Sequence, residues 1–279
     1  SNTYTTDMAL AALDGEAMGR DEVTDLLAIS YSAPDELGHE MGPRSLELED
    51  MYLRLDREFE RLLNALDAKV GKGTYTLFLT ADHAVVDVPA YLRDQQASAG
   101  YVDVQDLVYR VETGLAGRFG AGKWVRKRLK EQLFLNDSLI AARGLDPAVV
   151  QRAAADELLK HPLIADAVTA TELAHTTHAS GLRRNFQRGF MPSRSGDVCY
   201  AMRPSHLSAY SNANQRGTDH GSPWNYDTHV PLPMLGPGLR PGEVVRRVSI
   251  TDVAPTIAMI VGCALPDAAT GDPIPEALR

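Results

Sequence analysis

Residues 75–83 read Tyr-Thr-Leu-Phe-Leu-Thr-Ala-Asp-His, a mostly apolar run that ends in two polar side chains. A run of this length and composition is typical of a strand that is buried on both faces of a sheet. Asp82 and His83 follow the strand directly. Sites in open α/β sheets form outside the carboxyl ends of the strands. The stretch therefore predicts a sheet strand with a polar site at its end.

The residues before this stretch predict its neighbours in the sheet. Val23 to Tyr31 is almost continuously apolar and predicts another buried strand. From Leu48 to Val70 apolar side chains recur every three or four residues, which predicts an amphipathic helix. A shorter helix is predicted from Asp7, as its cap, to Met18. Strand, loop, helix and strand in this order predict a parallel α/β sheet with a right-handed crossover.

The character of the sequence changes near residue 100, and we interpret residues 100–195 as an inserted cap or lid subdomain. It would divide a core of residues 1–99 from a return to that core at 196–279. In these two parts, periodic apolar patterns predict helices at 107–119, 147–160 and 253–261. Short apolar runs predict strands at 164–169, 197–203, 230–235 and 244–250.

Charge and hydropathy exclude several classes of function. The formal net charge is −9 and the sequence has no basic run, so a nucleic-acid partner is not expected. No apolar run is long enough to span a bilayer. The acidic balance is compatible with a phosphorylated substrate, because bound metal ions would reverse the local potential.

Two clusters of candidate metal ligands follow the two predicted strands. Asp35 and His39 lie in a predicted loop, 32–45, and Asp82 and His83 end the later strand. Carboxylate and imidazole are both suitable ligands for zinc. Because both clusters follow strand ends, we expect them to meet at one edge of the sheet. Taken singly, the first cluster is also compatible with a loop that carries an exposed Asp and a lone His, and the second with a capping Asp and a surface His.

A third cluster lies near the end of the chain. It comprises Gly217-Thr-Asp-His-Gly-Ser222, and Tyr226-Asp-Thr-His229 follows it. One of His220 and His229 is expected to bind metal, while the other orients a neighbour or packs. The three clusters together supply one complete three-residue zinc site and one incomplete site. Two ions about 3.5–4 Å apart can clamp the attacking and leaving oxygens of a phosphoryl group.

The ordered motifs resemble those of the alkaline phosphatase superfamily. The matching segments are Asp-x-x-Gly-His-x-x-Gly-Pro beginning near Asp35, Thr-Ala-Asp-His at 80–83 and Gly-Thr-x-His-Gly-Ser at 217–222. The branch indicated is the phosphate-monoesterase relatives of type I phosphodiesterase/nucleotide pyrophosphatase, and the likeness covers the C-terminal portion of such proteins. The resemblance implies a three-layer α/β/α sheet, partial because its N-terminal strands are missing, with an inserted cap.

The resemblance also implies a ligand set of two zinc ions per active site. Asp35, His39 and His220 match the residues that hold one zinc in the family. Asp82 and His83 match ligands of the other zinc, which also takes an Asp and the nucleophilic Thr or Ser. Those last two groups lie upstream of this chain in the family pattern, so no catalytic nucleophile is expected within it. His220 is preferred to His229 because the His-Gly pair resembles that of the diesterase relatives.

The function implied is zinc-dependent hydrolysis of phosphate monoesters through a phospho-Thr or phospho-Ser intermediate. The alternatives are a phosphodiesterase or nucleotide pyrophosphatase of the same superfamily, and a catalytically inert zinc-binding fragment. The family implies a periplasmic or secreted location. The apolar strands also lead us to expect that a missing N-terminal segment, or another subunit, covers the sheet, and that residues 1–279 alone are inactive.

Overall fold

The computed structural model describes residues 1–209 and 217–279. The chain forms two compact units. The first consists of Ser1–Gly38, Ser45–Asp82 and Val230–Arg279, and the second of His39–Arg44 and His83–His229. The domain boundaries suggested by the sequence, at residues 99 and 195, stay a prediction.

The amphipathic pattern at 48–70 forms the longest helix among the described residues. Helix α3 runs over Leu46–Leu66 and continues as one π-helical turn, Asp67–Gly71. Ser45 begins it, because its hydroxyl accepts the backbone N–H of Leu48 at 3.2 Å. Its buried positions are seven residues apart, which is the spacing of one helix face: Leu48, Leu55 and Leu62. The predicted helix is confirmed.

Helix α1 begins earlier than the sequence indicates. It spans Asn2–Gly15, and the Ser1 hydroxyl accepts the backbone N–H of Tyr4. Asp7 is therefore inside the helix and its predicted role as the cap is wrong. The Asp7 carboxylate instead accepts a hydrogen bond from Arg61 of α3 at 2.7 Å. A serine at the chain's first position caps the helix before the acidic residue is reached.

The predicted strand at 23–31 is wrong, because this stretch forms neither helix nor strand. Val23 and Leu26 are 72% and 73% exposed. A strand requires hydrogen bonds to a neighbour, and within the described part of the chain no segment pairs with this one.

The later strands of the first unit are short. Strand β1 is limited to Leu77–Phe78, and it pairs antiparallel with β8, Met234–Leu235. The predicted strand at 244–250 is wrong, since those residues lead instead into a 3-10 turn, Ile250–Asp252. Helix α11 has the predicted bounds, Val253–Val261, and ends at Gly262, whose φ of +76° is the left-handed conformation that favours glycine.

The second unit holds an antiparallel sheet of four strands in the order β3-β4-β6-β5. Its strands are β3 Val125–Leu129, β4 Gln132–Leu135, β5 Ile164–Thr169 and β6 Val198–Met202. Helices α5, Val104–Phe119, and α7, Pro147–Leu159, pack together and contribute to its core. Trp124 and Tyr200 are the largest fully buried side chains of that core.

A parallel pair of strands also lies in the second unit. Strands β2, Gly100–Asp103, and β7, His206–Ala209, run side by side in the same direction. The remaining helices are short: α4 Pro89–Asp94, α6 Asp137–Ala142, α8 Ala170–His175, α9 Gly181–Gly189 and α10 Asn225–Thr228. Among the residues described, no helix has the length and apolar character needed to cross a bilayer.

Candidate metal centre

The first two candidate ligands lie on a helix and not in the predicted loop. Helix α2 spans Ala33–Met41, with Asp35 in its first turn and His39 in its last. An acidic residue in the first turn is favoured by the helix dipole. Residues four apart in a helix lie on the same face, so the side chains of Asp35 and His39 project together. The helical spacing brings a carboxylate and an imidazole to one side without any long-range contact.

The third motif meets the end of α2 through a glycine. Gly217 has a φ of +68°, and a Cβ atom placed on it would lie 1.8 Å from the carbonyl oxygen of His39. Only a residue without a side chain fits there. The backbone N–H of Thr218 then donates to the same carbonyl at 3.1 Å. The loop that carries His220 is thereby fixed against the helix that carries His39.

Thr218 also joins the second motif to the third. Its hydroxyl donates to the backbone carbonyl of Val86 at 2.6 Å. Val86 lies three residues after His83, and both Val86 and Thr218 are buried. A further backbone bond runs from the Ala84 N–H to the Asp227 carbonyl at 2.8 Å. These bonds hold the loop after His83 beside the loop around His220.

Three histidine rings lie close together as a result. The rings of His83 and His220 are stacked, with centroids 3.4 Å apart and planes 13° from parallel. The rings of His39 and His220 are tilted, with centroids 4.9 Å apart. All three side chains are half-buried. One imidazole from each motif thus contributes to a single cluster.

The hydrogen bonds of two of these rings assign their tautomers. Nδ1 of His39 lies 3.0 Å from the Thr218 carbonyl oxygen, and Nδ1 of His83 lies 3.0 Å from the Ala84 carbonyl oxygen. A carbonyl only accepts, so each Nδ1 carries a proton and Nε2 is the ring nitrogen that remains for a metal ion. Histidines that bind metal characteristically donate their other N–H to a backbone carbonyl in this way.

Asp35, His39 and His220 offer ligand atoms that all lie within 4.8 Å of one another. Asp35 stands on α2 one turn before His39, and its side chain is exposed. Ligands of a tetrahedral zinc at about 2.0–2.1 Å are about 3.3 Å apart, so small side-chain rotations would complete such a site. The donor set of one carboxylate and two imidazoles fits zinc chemistry.

The other candidate ligands are placed differently. Asp82 is exposed and precedes the half-buried His83 in the chain, and neither belongs to the three-residue group. His83 is next to that group through its stacking on His220. His229 is exposed at the C-terminal end of α10. That Asp82 and His83 hold a second ion stays a prediction, as does the role of each ligand.

The sequence model of the type I phosphodiesterase/nucleotide pyrophosphatase family matches residues 2–223 of this chain. The chain belongs to this family. It is 38% identical over 281 residues to a Myroides odoratus protein named calcium-transporting ATPase, covering all of this chain and 51% of that protein. It is 34% identical over 278 residues to alkaline phosphatase PafA of Elizabethkingia meningoseptica, covering 99% of this chain and 50% of PafA. The chain therefore spans about half the length of these curated relatives.

The chain is also similar in structure to wild-type alkaline phosphatase PafA. The two align with a TM-score of 0.91 at 33% identity, over all of this chain and 52% of the PafA chain. The predicted alkaline-phosphatase-like α/β fold is confirmed for the part that this chain represents. The predicted resemblance to the alkaline phosphatases and type I phosphodiesterases is likewise confirmed.

Sequence analysis did not identify two carboxylates of this chain as candidate functional residues. Asp219 accepts the backbone N–H of His220 at 2.8 Å, and Nζ of Lys130 lies 3.2 Å and 3.3 Å from its two oxygens. Burial alone would raise the pKa of Asp219, but the bond from His220 and the charge of Lys130 outweigh it and lower the pKa. Its position between Thr218 and His220 within the motif was the available signal.

Asp227 is the second. It is 3% exposed, and its Oδ2 accepts the Ser222 N–H at 2.8 Å. Among the described residues its Oδ1 has no hydrogen-bond partner. Burial raises the pKa of Asp227, against the hydrogen bonds from Ser222 and the positive potential of His220 and His83. A buried carboxylate oxygen without a hydrogen-bond donor among the described residues fits a site that receives positive charge.

Proposed function

We propose that this chain supplies zinc-binding residues to a hydrolase of phosphate monoesters of the alkaline phosphatase type. The observation that carries the proposal is the group formed by Asp35, His39 and His220, whose ligand atoms lie within 4.8 Å of one another. Family membership and the likeness to PafA support the same chemistry. In this proposal the three residues hold one zinc ion, and Asp82 and His83 contribute to a second.

The residues of this chain would orient the site rather than attack the substrate. The bonds from Nδ1 of His39 and His83 to backbone carbonyls fix each ring with Nε2 directed away from its carbonyl partner. Zinc ions, when bound, would neutralise charge that develops on the phosphoryl oxygens. The second zinc would also bind an Asp and the nucleophilic residue, and both of these are proposed to lie outside this chain.

The nucleophile in this proposal is a Thr or Ser hydroxyl. Its oxygen would attack phosphorus in line, forming a phosphate ester of the side chain as the bond to the alcohol breaks. Water would then hydrolyse that ester and release phosphate. In this proposal the attacking hydroxyl is therefore separate from the zinc-binding residues of this chain.

A phosphodiesterase or nucleotide pyrophosphatase is the second candidate. The description of the matching family, which covers residues 2–223, favours it. Both reactions break a P–O bond beside the same metal ligands, so the candidates differ only in the pocket for a second ester substituent. The ratio of initial rates on an aryl phosphate monoester and an aryl phosphate diester, measured with the full-length protein, would decide between them.

The ligand assignment is tested by comparing two histidines. We expect His220→Ala in the full-length protein to lose one equivalent of tightly bound zinc, measured by elemental analysis after dialysis. His229→Ala is the matched control and should retain the wild-type zinc content, because His229 is exposed outside the group. The reverse result would move the assignment to His229. Equal zinc content in both variants and the wild type would contradict the proposed site.

The remaining parts of the proposal concern the setting of the enzyme. By family resemblance the protein acts in the periplasm or is secreted, and its substrate is a small phosphate ester. Another segment or subunit is proposed to cover the apolar residues of the first unit, among them Val23 and Leu26. Fractionation of cells followed by immunodetection of the full-length protein would test the location.

A further inference from the structure

The turn between strands β3 and β4 places a lysine against the third motif. Lys130 occupies the turn with a φ of +48°, a left-handed conformation that is strained in a residue other than glycine. Its Nζ lies 3.2 Å and 3.3 Å from the two oxygens of Asp219. The contact joins residues 89 positions apart, within the second unit.

The base of this turn is held by a network of polar side chains. Arg128 donates to the Tyr200 hydroxyl at 2.8 Å and to the Ser208 hydroxyl at 2.6 Å. The Ser208 hydroxyl in turn donates to Glu131 at 2.9 Å. Arg128 is only 10% exposed in its side chain. Since side chains on both sides of Lys130 are held, the backbone at Lys130 is fixed at the turn.

The carboxylate of Asp219 lies close to two candidate ligands, His220 and His39. Its Oδ1 accepts the His220 backbone N–H at 2.8 Å and lies 3.9 Å from Nδ1 of His39. That Nδ1 donates to the carbonyl of Thr218, the residue before Asp219. One carboxylate thus holds the backbone of His220 and lies near the ring of His39.

We propose that Asp219 is a positioning residue for His39 and His220, and that Lys130 holds its carboxylate in place. The inference rests on the proposed function, because it assumes that these histidines bind zinc. A negative charge near the His39 ring strengthens that ring as a ligand, and the bond to the His220 N–H fixes the backbone that carries the second ring. Lys130 keeps both oxygens of Asp219 in one arrangement and connects the β3–β4 turn to the metal centre.

The alternative is an ordinary surface ion pair. The side chains of Lys130 and Asp219 are 62% and 35% exposed. Pairs of that exposure contribute little to folding stability. A surface pair would therefore affect neither stability nor zinc binding to a large extent. A positioning pair would affect zinc binding while the stability of the metal-free protein stays nearly constant.

The experiment measures zinc affinity by chelator competition in the full-length protein. Asp219→Asn keeps an oxygen that can accept the His220 N–H but removes the charge, and we expect zinc to bind about 10-fold more weakly or worse. Lys130→Met should weaken binding by a smaller factor. The double variant should bind zinc no more weakly than Asp219→Asn alone, because the lysine acts through the aspartate.

Matched controls in the same unit are Asp156→Asn and Lys123→Met, both at exposed positions. These should leave zinc affinity unchanged. The thermal midpoint of every variant in the presence of a chelator should stay close to that of the wild type. Wild-type affinity in Asp219→Asn would overturn this inference and leave the zinc site standing. Failure of the wild type to bind zinc would overturn the proposed function and this inference together.

Discussion

At the scale of single residues, the close approach of Gly217 to His39 makes the sharpest prediction about stability. Gly217→Ala would place a methyl group 1.8 Å from the His39 carbonyl oxygen at a φ of +68°. Gly144 has a similar φ of +63° and open space around it, so Gly144→Ala isolates the cost of the backbone conformation. We expect about 1 kcal/mol for Gly144→Ala and at least about 3 kcal/mol for Gly217→Ala, measured by urea unfolding.

The outcome that would contradict this account is an equal loss in the two glycine variants. It would mean that the loop moves away from α2 at little cost. In that event the third motif would not be held against His39 by its backbone.

Glu131 gives a prediction about pH. Burial raises the pKa of Glu131 above its usual range, against the Ser208 hydrogen bond and the charges of Arg128 and Lys130. Because the folded state holds this proton more tightly than the unfolded state, Glu131 lowers stability as pH rises from the unfolded pKa, near 4.5, through the folded pKa. The stability of Glu131→Gln minus that of wild type should therefore increase with pH across that window. Urea unfolding between pH 4 and pH 8 measures the difference, and a difference that falls with pH would refute the assignment.

The sequence indicates the candidate ligands but not the groups that surround them. Asp35, His39, Asp82, His83 and His220 stand in short motifs whose residue types suit a metal. Asp219 and Asp227 stand next to or near candidate histidines in sequence, but the spacing does not show what their carboxylates contact. Their environment depends on Lys130 and on the loop at Ala84, which lie far from them in the chain. Burial and long-range contacts of this kind are set by folding and cannot be read from spacing.

At the scale of elements, substitutions in helix α3 measure how much its packed face contributes to the stability of the protein. Leu55 is 5% exposed and Leu53 is 63% exposed on the same helix. We expect Leu55→Ala to destabilise the protein by about 2–5 kcal/mol, because it leaves a cavity in the packed face. Leu53→Ala should cost less than about 0.5 kcal/mol. Thermal unfolding of both variants, with α-helix content as a check, makes the comparison.

The predicted strands at 164–169 and 197–203 correspond to β5 and β6, whereas in the first unit the predicted strands failed more often than the predicted helices, for a physical reason. Each helix satisfies its own backbone, so the local patterns at α3, α7 and α11 were sufficient. A strand depends on a neighbour that the local sequence does not name. The apolar run at 23–31 therefore formed no strand, and the run at 75–80 formed only the two paired residues Leu77 and Phe78.

At the scale of the whole molecule, the proposal separates metal binding from turnover. The isolated polypeptide of residues 1–279, with zinc added, should show no measurable hydrolysis of an aryl phosphate monoester, because the proposed nucleophile is outside this chain. The full-length protein is the positive control. Turnover by residues 1–279 that Asp35→Ala abolishes would show that the attacking hydroxyl lies within this chain.

The central claim is that motifs separated by up to 185 positions in sequence, Asp35 to His220, meet around one zinc ion. The most direct measurement is a crystal structure of the full-length protein grown with zinc, with anomalous data collected on both sides of the zinc absorption edge. We expect an anomalous peak about 2.0–2.2 Å from ligand atoms of Asp35, His39 and His220. An edge-dependent peak that none of these three residues touches, or no peak at saturating zinc, would contradict it.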